Sequence, residues 1–141
     1  MSLLAWIGLA LGGSLGALSR WRLDLAARAL IVEFVAKRPR HGERRCEPAV
    51  APLLGIGLVN VLGSFLLGLL GGVLAGHPGW GLLVSTGFLG GFTTFSTAVM
   101  DCQNLWRAGR RAASAGLLLG VWASALLALF AGIGIAALPL G

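Results

Sequence analysis

Residues 49–100, from Ala49 to Met100, read AVAPLLGIGLVNVLGSFLLGLLGGVLAGHPGWGLLVSTGFLGGFTTFSTAVM and contain no Asp, Glu, Lys or Arg. About 20 apolar residues suffice for a helix to cross the hydrocarbon of a bilayer, so this run is too long for one span. It carries one strong interruption, Gly76-His77-Pro78-Gly79, where proline and two glycines mark a tight turn. The run therefore divides into helices over about 49–75 and 80–101. Outward from it, residues 2–19 and 112–141 are also free of charge. They supply a first helix over about 3–30 and a last one over about 111–138. The expected fold is an all-α membrane protein, a single four-helix domain over residues 1–141 with a polar loop at about 36–48.

Composition agrees. Of 141 residues, 57% are hydrophobic and 11% charged, against roughly 25% charged in a soluble domain. That excludes a soluble enzyme and a disordered tail. The 23 glycines lack the three-residue period of collagen. All eleven Lys and Arg residues fall in two segments. Eight lie between Arg20 and Arg45, and the other three are Arg107, Arg110 and Arg111. In a four-helix chain these two connections share one side. The positive-inside rule places them in the cytoplasm and both termini outside, in a multi-pass protein of the cell membrane. This topology accounts for the net charge of +6 without a nucleic-acid partner. No positive charge precedes the first apolar run, so it reads as a span rather than a secretory signal. Cys46 and Cys102 fall on the cytoplasmic side, where thiols stay reduced.

Small residues recur at four-residue spacing in three helices: Gly8, Gly12 and Gly16; Ser64, Gly68, Gly72 and Gly76; and Gly116, Gly120, Ser124, Ala128, Gly132 and Ala136. Such faces let helix backbones approach closely in lipid. Gly12-Gly13-Ser14-Leu15-Gly16 is not a phosphate loop, because no strand precedes it.

Little here can carry enzyme chemistry. The acids Asp24, Glu33, Glu43, Glu47 and Asp101 lie near span ends or in loops, and His41 and His77 lie in loops. No paired carboxylates, nucleophile–base set or metal cluster can be assembled, so the chain is not expected to be an enzyme. The polar residues within the spans are neutral. Asn60, with Ser64 on the same face, is either an interhelical clamp or a donor to a ligand. The third span carries Gly87-Phe88-Leu89-Gly90-Gly91-Phe92-Thr93-Thr94-Phe95-Ser96-Thr97. Adjacent glycines weaken a helix by about 1 kcal/mol each, and a hydroxyl run can re-satisfy freed backbone groups. The third helix is thus expected to break at mid-membrane, at its paired glycines. Carbonyl oxygens exposed there suit a hard cation, whereas hydroxyl and amide hydrogens suit an anion. Phe88, Phe92 and Phe95 share one stripe, and ring edges carry positive quadrupole charge.

These residues resemble the CrcB/Fluc family of microbial fluoride channels. The matching strings are Gly12 through Trp21, Asn60 through Gly68, and Gly87 through Thr97. The resemblance implies an antiparallel dimer of the dual-topology type, with two fluoride pathways and a structural Na⁺ at its centre. It implies that Gly90 and Thr93 give backbone carbonyls to Na⁺, and that Asn60, Phe95, Ser96 and Thr97 line the fluoride pathway. Arg20 and Asp101 fall at pore-end or structural positions, Asp101 where the family often has glutamate. The second pore phenylalanine of the family falls on Ala98. A homodimer would lack that ring in both pores, and the one-sided loop charge favours a single orientation. Both features suit a heterodimer with a second, similar chain inserted the opposite way, with the homodimer as the alternative. The rival functions are a proton-coupled multidrug-type exporter, which would need a carboxylate inside the membrane, and a non-conducting scaffold subunit.

Overall fold

The structure is a computed structural model that describes residues 2–36 and 51–138. The polar loop expected at about 36–48, with His41 and Cys46, lies almost wholly outside the described residues. Among the described residues, four helical stretches are long and apolar enough to cross a membrane: Leu3–Leu30, Gly55–Val73, Pro78–Arg107 and Arg111–Ala136. In helical terms these belong to α1 (Leu3–Ala36), α2 (Ala51–Val73), a composite third span, and α6 (Arg111–Ala136). The third span comprises α3 (Pro78–Leu82), a π-helical segment (Leu83–Leu89), α4 (Gly90–Phe92) and α5 (Ser96–Arg107). Helix α1 continues to Ala36, past the expected end near Leu30, and the third span continues to Arg107. Charged side chains end the apolar pattern before they end the helix.

The turn between the second and third spans falls where proline and glycine place it. α2 ends at Val73 and Pro78 opens α3 in its first turn, where proline's missing N–H is no loss. At the other end of the third span, Gly109 adopts φ 79°, a left-handed conformation that glycine takes without steric cost. That turn sends the chain back as α6.

The helices form two closely packed pairs. α2 packs most extensively on α6, and α1 packs on the π-helical segment and α4. Both contacts are backbone to backbone. A Cβ on Gly16 would fall on the Phe88 carbonyl oxygen and 2.9 Å from the Phe92 nitrogen, and one on Gly91 would fall on the Gly13 carbonyl oxygen. In the other pair, a Cβ on Gly68 would meet the Leu129 carbonyl oxygen, and one on Gly132 the Phe65 carbonyl oxygen. The first half of the α6 small face is different: among the described residues, a Cβ on Gly116 or Gly120 would meet nothing within 4 Å beyond its own helix. The core between the pairs is small, with Ile56, Val59 and Leu89 fully enclosed. Leu4, Leu11, Leu15, Leu127 and Phe130 are among the large apolar side chains left exposed, as expected of a surface that faces lipid.

Candidate functional site

The third span bends where its backbone leaves the helix. Gly90 and Gly91 remain helical, with Gly90 at φ −62° and ψ −36°. Departure occurs at Thr93, which is extended at φ −80° and ψ 154°, and helix resumes at Ser96. The paired glycines serve a different end from the expected unwinding: Gly91 allows contact with the α1 backbone at Gly13.

Asn60 holds the irregular stretch from α2. The Thr94 N–H donates to Asn60 Oδ1 at 2.8 Å, and Asn60 Nδ2 donates to the Thr94 carbonyl at 2.8 Å. One side-chain amide therefore pairs with both polar groups of one residue, as a neighbouring backbone would. Asn60 is only 8% exposed, so each bond replaces a desolvation cost of about 1–3 kcal/mol for an unpaired group. Nδ2 carries a second hydrogen outside this pair.

Thr94, to which sequence reasoning assigned no role, is the hub. Its Oγ1 lies 3.3 Å from Ser96 Oγ and 3.2 Å from Thr97 Oγ1, and accepts from the Thr97 N–H at 3.5 Å. A threonine three residues ahead of a helical N–H is a recognised capping signal, and it was present in the string. Thr93 Oγ1 bonds back to the Leu89 carbonyl at 3.1 Å.

These bonds redirect two amides. In a continuous helix the Gly90 and Thr93 carbonyls would accept from Thr94 N–H and Thr97 N–H. Those donors turn instead to Asn60 Oδ1 and Thr94 Oγ1. Among the described residues, no three His, Cys, Asp or Glu side chains come together as a metal site.

A cleft of about 180 Å³ opens beside the bend. Asn60, Ser64, Thr93 and Thr94 form its polar wall; Phe95, Ala98, Leu118 and Trp122 contribute to its apolar one. The expected phenylalanine stripe splits here. Phe88 and Phe92 stack with centroids 5.9 Å apart and Phe92 is 5% exposed, whereas Phe95 is 70% exposed at the cleft. The extended Thr93 turns Phe95 away from the helical register. Ser96 is exposed, and Thr97 and Gly90 lie at the bend without lining the cleft. Arg20 and Asp101 also stand apart from it. Cys102 is a free, buried thiol on the cleft wall, and its carbonyl accepts from Ser114 Oγ at 2.7 Å.

Comparison with known proteins places this arrangement in a family. The family model described as CrcB-like protein, Camphor Resistance (CrcB), matches residues 7–133. The "Fluoride-specific ion channel FluC" of Saccharophagus degradans is 38% identical over 112 residues, covering 77% of this chain and 71% of that protein. "Fluoride-specific ion channel FluC 1" of Leifsonia xyli subsp. xyli is 36% identical over 138 residues, covering 96% of this chain and 87% of that protein. "Fluoride-specific ion channel FluC 2" of Natronomonas pharaonis is 35% identical over 138 residues, covering 97% and 98%. With the match spanning all four helical stretches, the chain belongs to the CrcB/Fluc family.

Proposed function

We propose that this chain is a subunit of a fluoride-selective channel that passively exports F⁻ from the cytoplasm and so confers fluoride resistance. The observation that carries the reading is the Asn60–Thr94 clamp. It fixes an irregular backbone at membrane depth, where such backbone is tolerated only if it is buried in protein or lines a cavity. Fluoride leaving water needs donors that hold it without trapping it. The second Asn60 amide hydrogen, the hydroxyls of Ser96 and Thr97, and the edge of Phe95 supply weak positive charge of that kind. With the interior negative, expelling one negative charge is favoured by about 2.3 kcal/mol per 100 mV, so no ATP or redox cofactor is required.

The Gly90 and Thr93 carbonyls suit a structural Na⁺. Both have lost their helical donors to Asn60 and Thr94, and carbonyl oxygens are hard-cation ligands. A bound Na⁺ would supply positive charge that holds two such bends together.

A single chain walls its cleft on one side, with Phe95 and Trp122 left exposed there. On α6, Leu117 and Val121, next in sequence to the open Gly116 and Gly120, line it. A second chain in the opposite orientation completes both. Two features favour a partner of different sequence: Ala98 on the cleft wall, and basic residues confined to the connections read as cytoplasmic. Fluoride efflux from loaded liposomes tests the reading. Fast efflux that requires Na⁺ supports a channel. If the lone chain conducts rapidly, the pairing with a different chain is wrong. If neither the lone chain nor the pair conducts, the channel reading fails.

A further inference from the structure

The chain has five tryptophans, and four of them stand where a membrane protein ordinarily keeps this residue. Trp6, Trp80 and Trp106 lie close to span ends, where the ring sits in hydrocarbon and its N–H meets water and headgroups. Trp21 stands between Arg20 and Arg22, with the Arg22 guanidinium 5.9 Å from its ring centroid. Trp122 has neither setting. It falls in the uncharged run 112–141. At 1.5 Å per residue it lies about 16 Å from the start of α6 at Arg111 and about 21 Å from its end at Ala136, deep in the hydrocarbon.

Packing fixes that depth against the site. Val121 Cγ2 lies 3.7 Å from where a Cβ on Gly57 would stand, and a Cβ on Gly132 would meet the Phe65 carbonyl oxygen and the Leu69 nitrogen. α2 and α6 therefore run parallel, in a register that sets Trp122 level with Leu58, about 3 Å along the axis from Asn60. Trp122 lines the cleft together with Asn60, Thr94 and Phe95, and Ala98 adds only a methyl group to the same wall. Trp122 and Phe95 are the two aromatic side chains of the cleft, and both are exposed.

The indole Nε1–H is a donor and nothing else. Among the described residues it has no hydrogen-bond partner, although a tryptophan taken out of water ordinarily finds one. Once a second chain closes the cleft, as proposed above, bulk water no longer reaches this hydrogen. We infer that Trp122 is a further fluoride-pathway residue of this chain, whose indole N–H donates to the anion as it passes Phe95. The inference rests on the fluoride-channel reading. Fluoride is the strongest hydrogen-bond acceptor among the halides, and a bond to an ionised acceptor is stronger than a neutral one. The indole carries no full charge, so it can hold the ion without trapping it.

Two readouts test this on the assembled channel in sodium salts. W122F keeps an aromatic ring on the cleft wall and removes the donor. Its fluoride efflux from liposomes, after elution as the wild-type oligomer, is expected to fall about tenfold, the scale of one hydrogen bond to a charged group. In the ¹⁵N-tryptophan-labelled channel, the indole N–H resonance that W122F removes is expected to move when sodium fluoride, but not sodium chloride, is added. A residue that only packs against lipid or a partner chain predicts neither result. Efflux from W122F at or above the wild-type rate, or a resonance that fluoride does not move, overturns the inference. Should W122F fail to assemble, the resonance left after W6F, W21F, W80F and W106F are each used for assignment decides in the same way. A wild-type channel that carries no fluoride at all sinks the underlying reading instead.

Discussion

The two helix pairs of this molecule are built on the same contact and put to different use. α2 and α6 meet at Gly68 and Gly132, backbone against backbone, and both helices run uninterrupted through the contact. α1 meets the third span at Gly16 and Gly91 in the same manner, yet that span passes through a π-helical segment and then leaves the helix at Thr93. The close contact is therefore not what bends a helix. What distinguishes the third span is a side-chain amide from a neighbouring helix that takes over backbone hydrogen bonds. Glycine contacts make the bundle, and the Asn60–Thr94 pair holds the bend.

Substitutions can separate these roles. The largest expected effect is N60A. It strips Thr94 of two partners at about 1–3 kcal/mol for each group left unpaired, and fluoride efflux per folded channel should fall at least about tenfold. If N60A conducts like wild type, the clamp is not part of the conduction machinery. Next comes G132A in the regular pair. Overpacking costs about 1–3 kcal/mol, so thermal melting in detergent should drop while the channel that remains folded keeps its efflux rate. A loss of rate at unchanged stability would erase the proposed division between the pairs. S114A should be smaller, since hydrogen bonds between membrane helices average about 0.6 kcal/mol; the same melting assay would show a slight shift. The smallest effect belongs to S124A, because among the described residues Ser124 Oγ bonds to the carbonyls of Gly120 and Val121 in its own helix. A marked loss of efflux in S124A would mean that its hydroxyl serves the pathway.

The same contrast explains what could be read in advance. Charge placement, with the Pro/Gly turn at residues 76–79 dividing the long middle run, located the four spans, because a charge in hydrocarbon is costly at any register. The turn before Pro78 and the contacts of Gly12, Gly16, Gly68 and Gly132 were also legible, since proline geometry and four-residue spacing are local properties. The π-helical segment was not, as Leu83 to Leu89 carries no pattern that separates it from an ordinary apolar helix. A break was expected at Gly90-Gly91 because glycine weakens helices in isolation, and the span shows a bend instead. Its position at Thr93 depends on Asn60, thirty-odd residues away, which no local propensity encodes. The local cap from Thr94 to the Thr97 N–H was legible in the string, whereas the pairing of its backbone with Asn60 exists only once α2 is alongside. The Gly116 and Gly120 face matches the expected spacing but finds no partner among the described residues, so spacing alone did not tell an internal contact from an outer one.

The most direct measurement is fluoride efflux through the reconstituted channel, with the lone chain and with an oppositely oriented companion chain, comparing wild type with N60A and fluoride with chloride. The account predicts rapid, Na⁺-dependent efflux of fluoride that chloride does not share and that N60A sharply slows. Efflux no faster than from protein-free liposomes in either assembly, or equal passage of both halides, would contradict it.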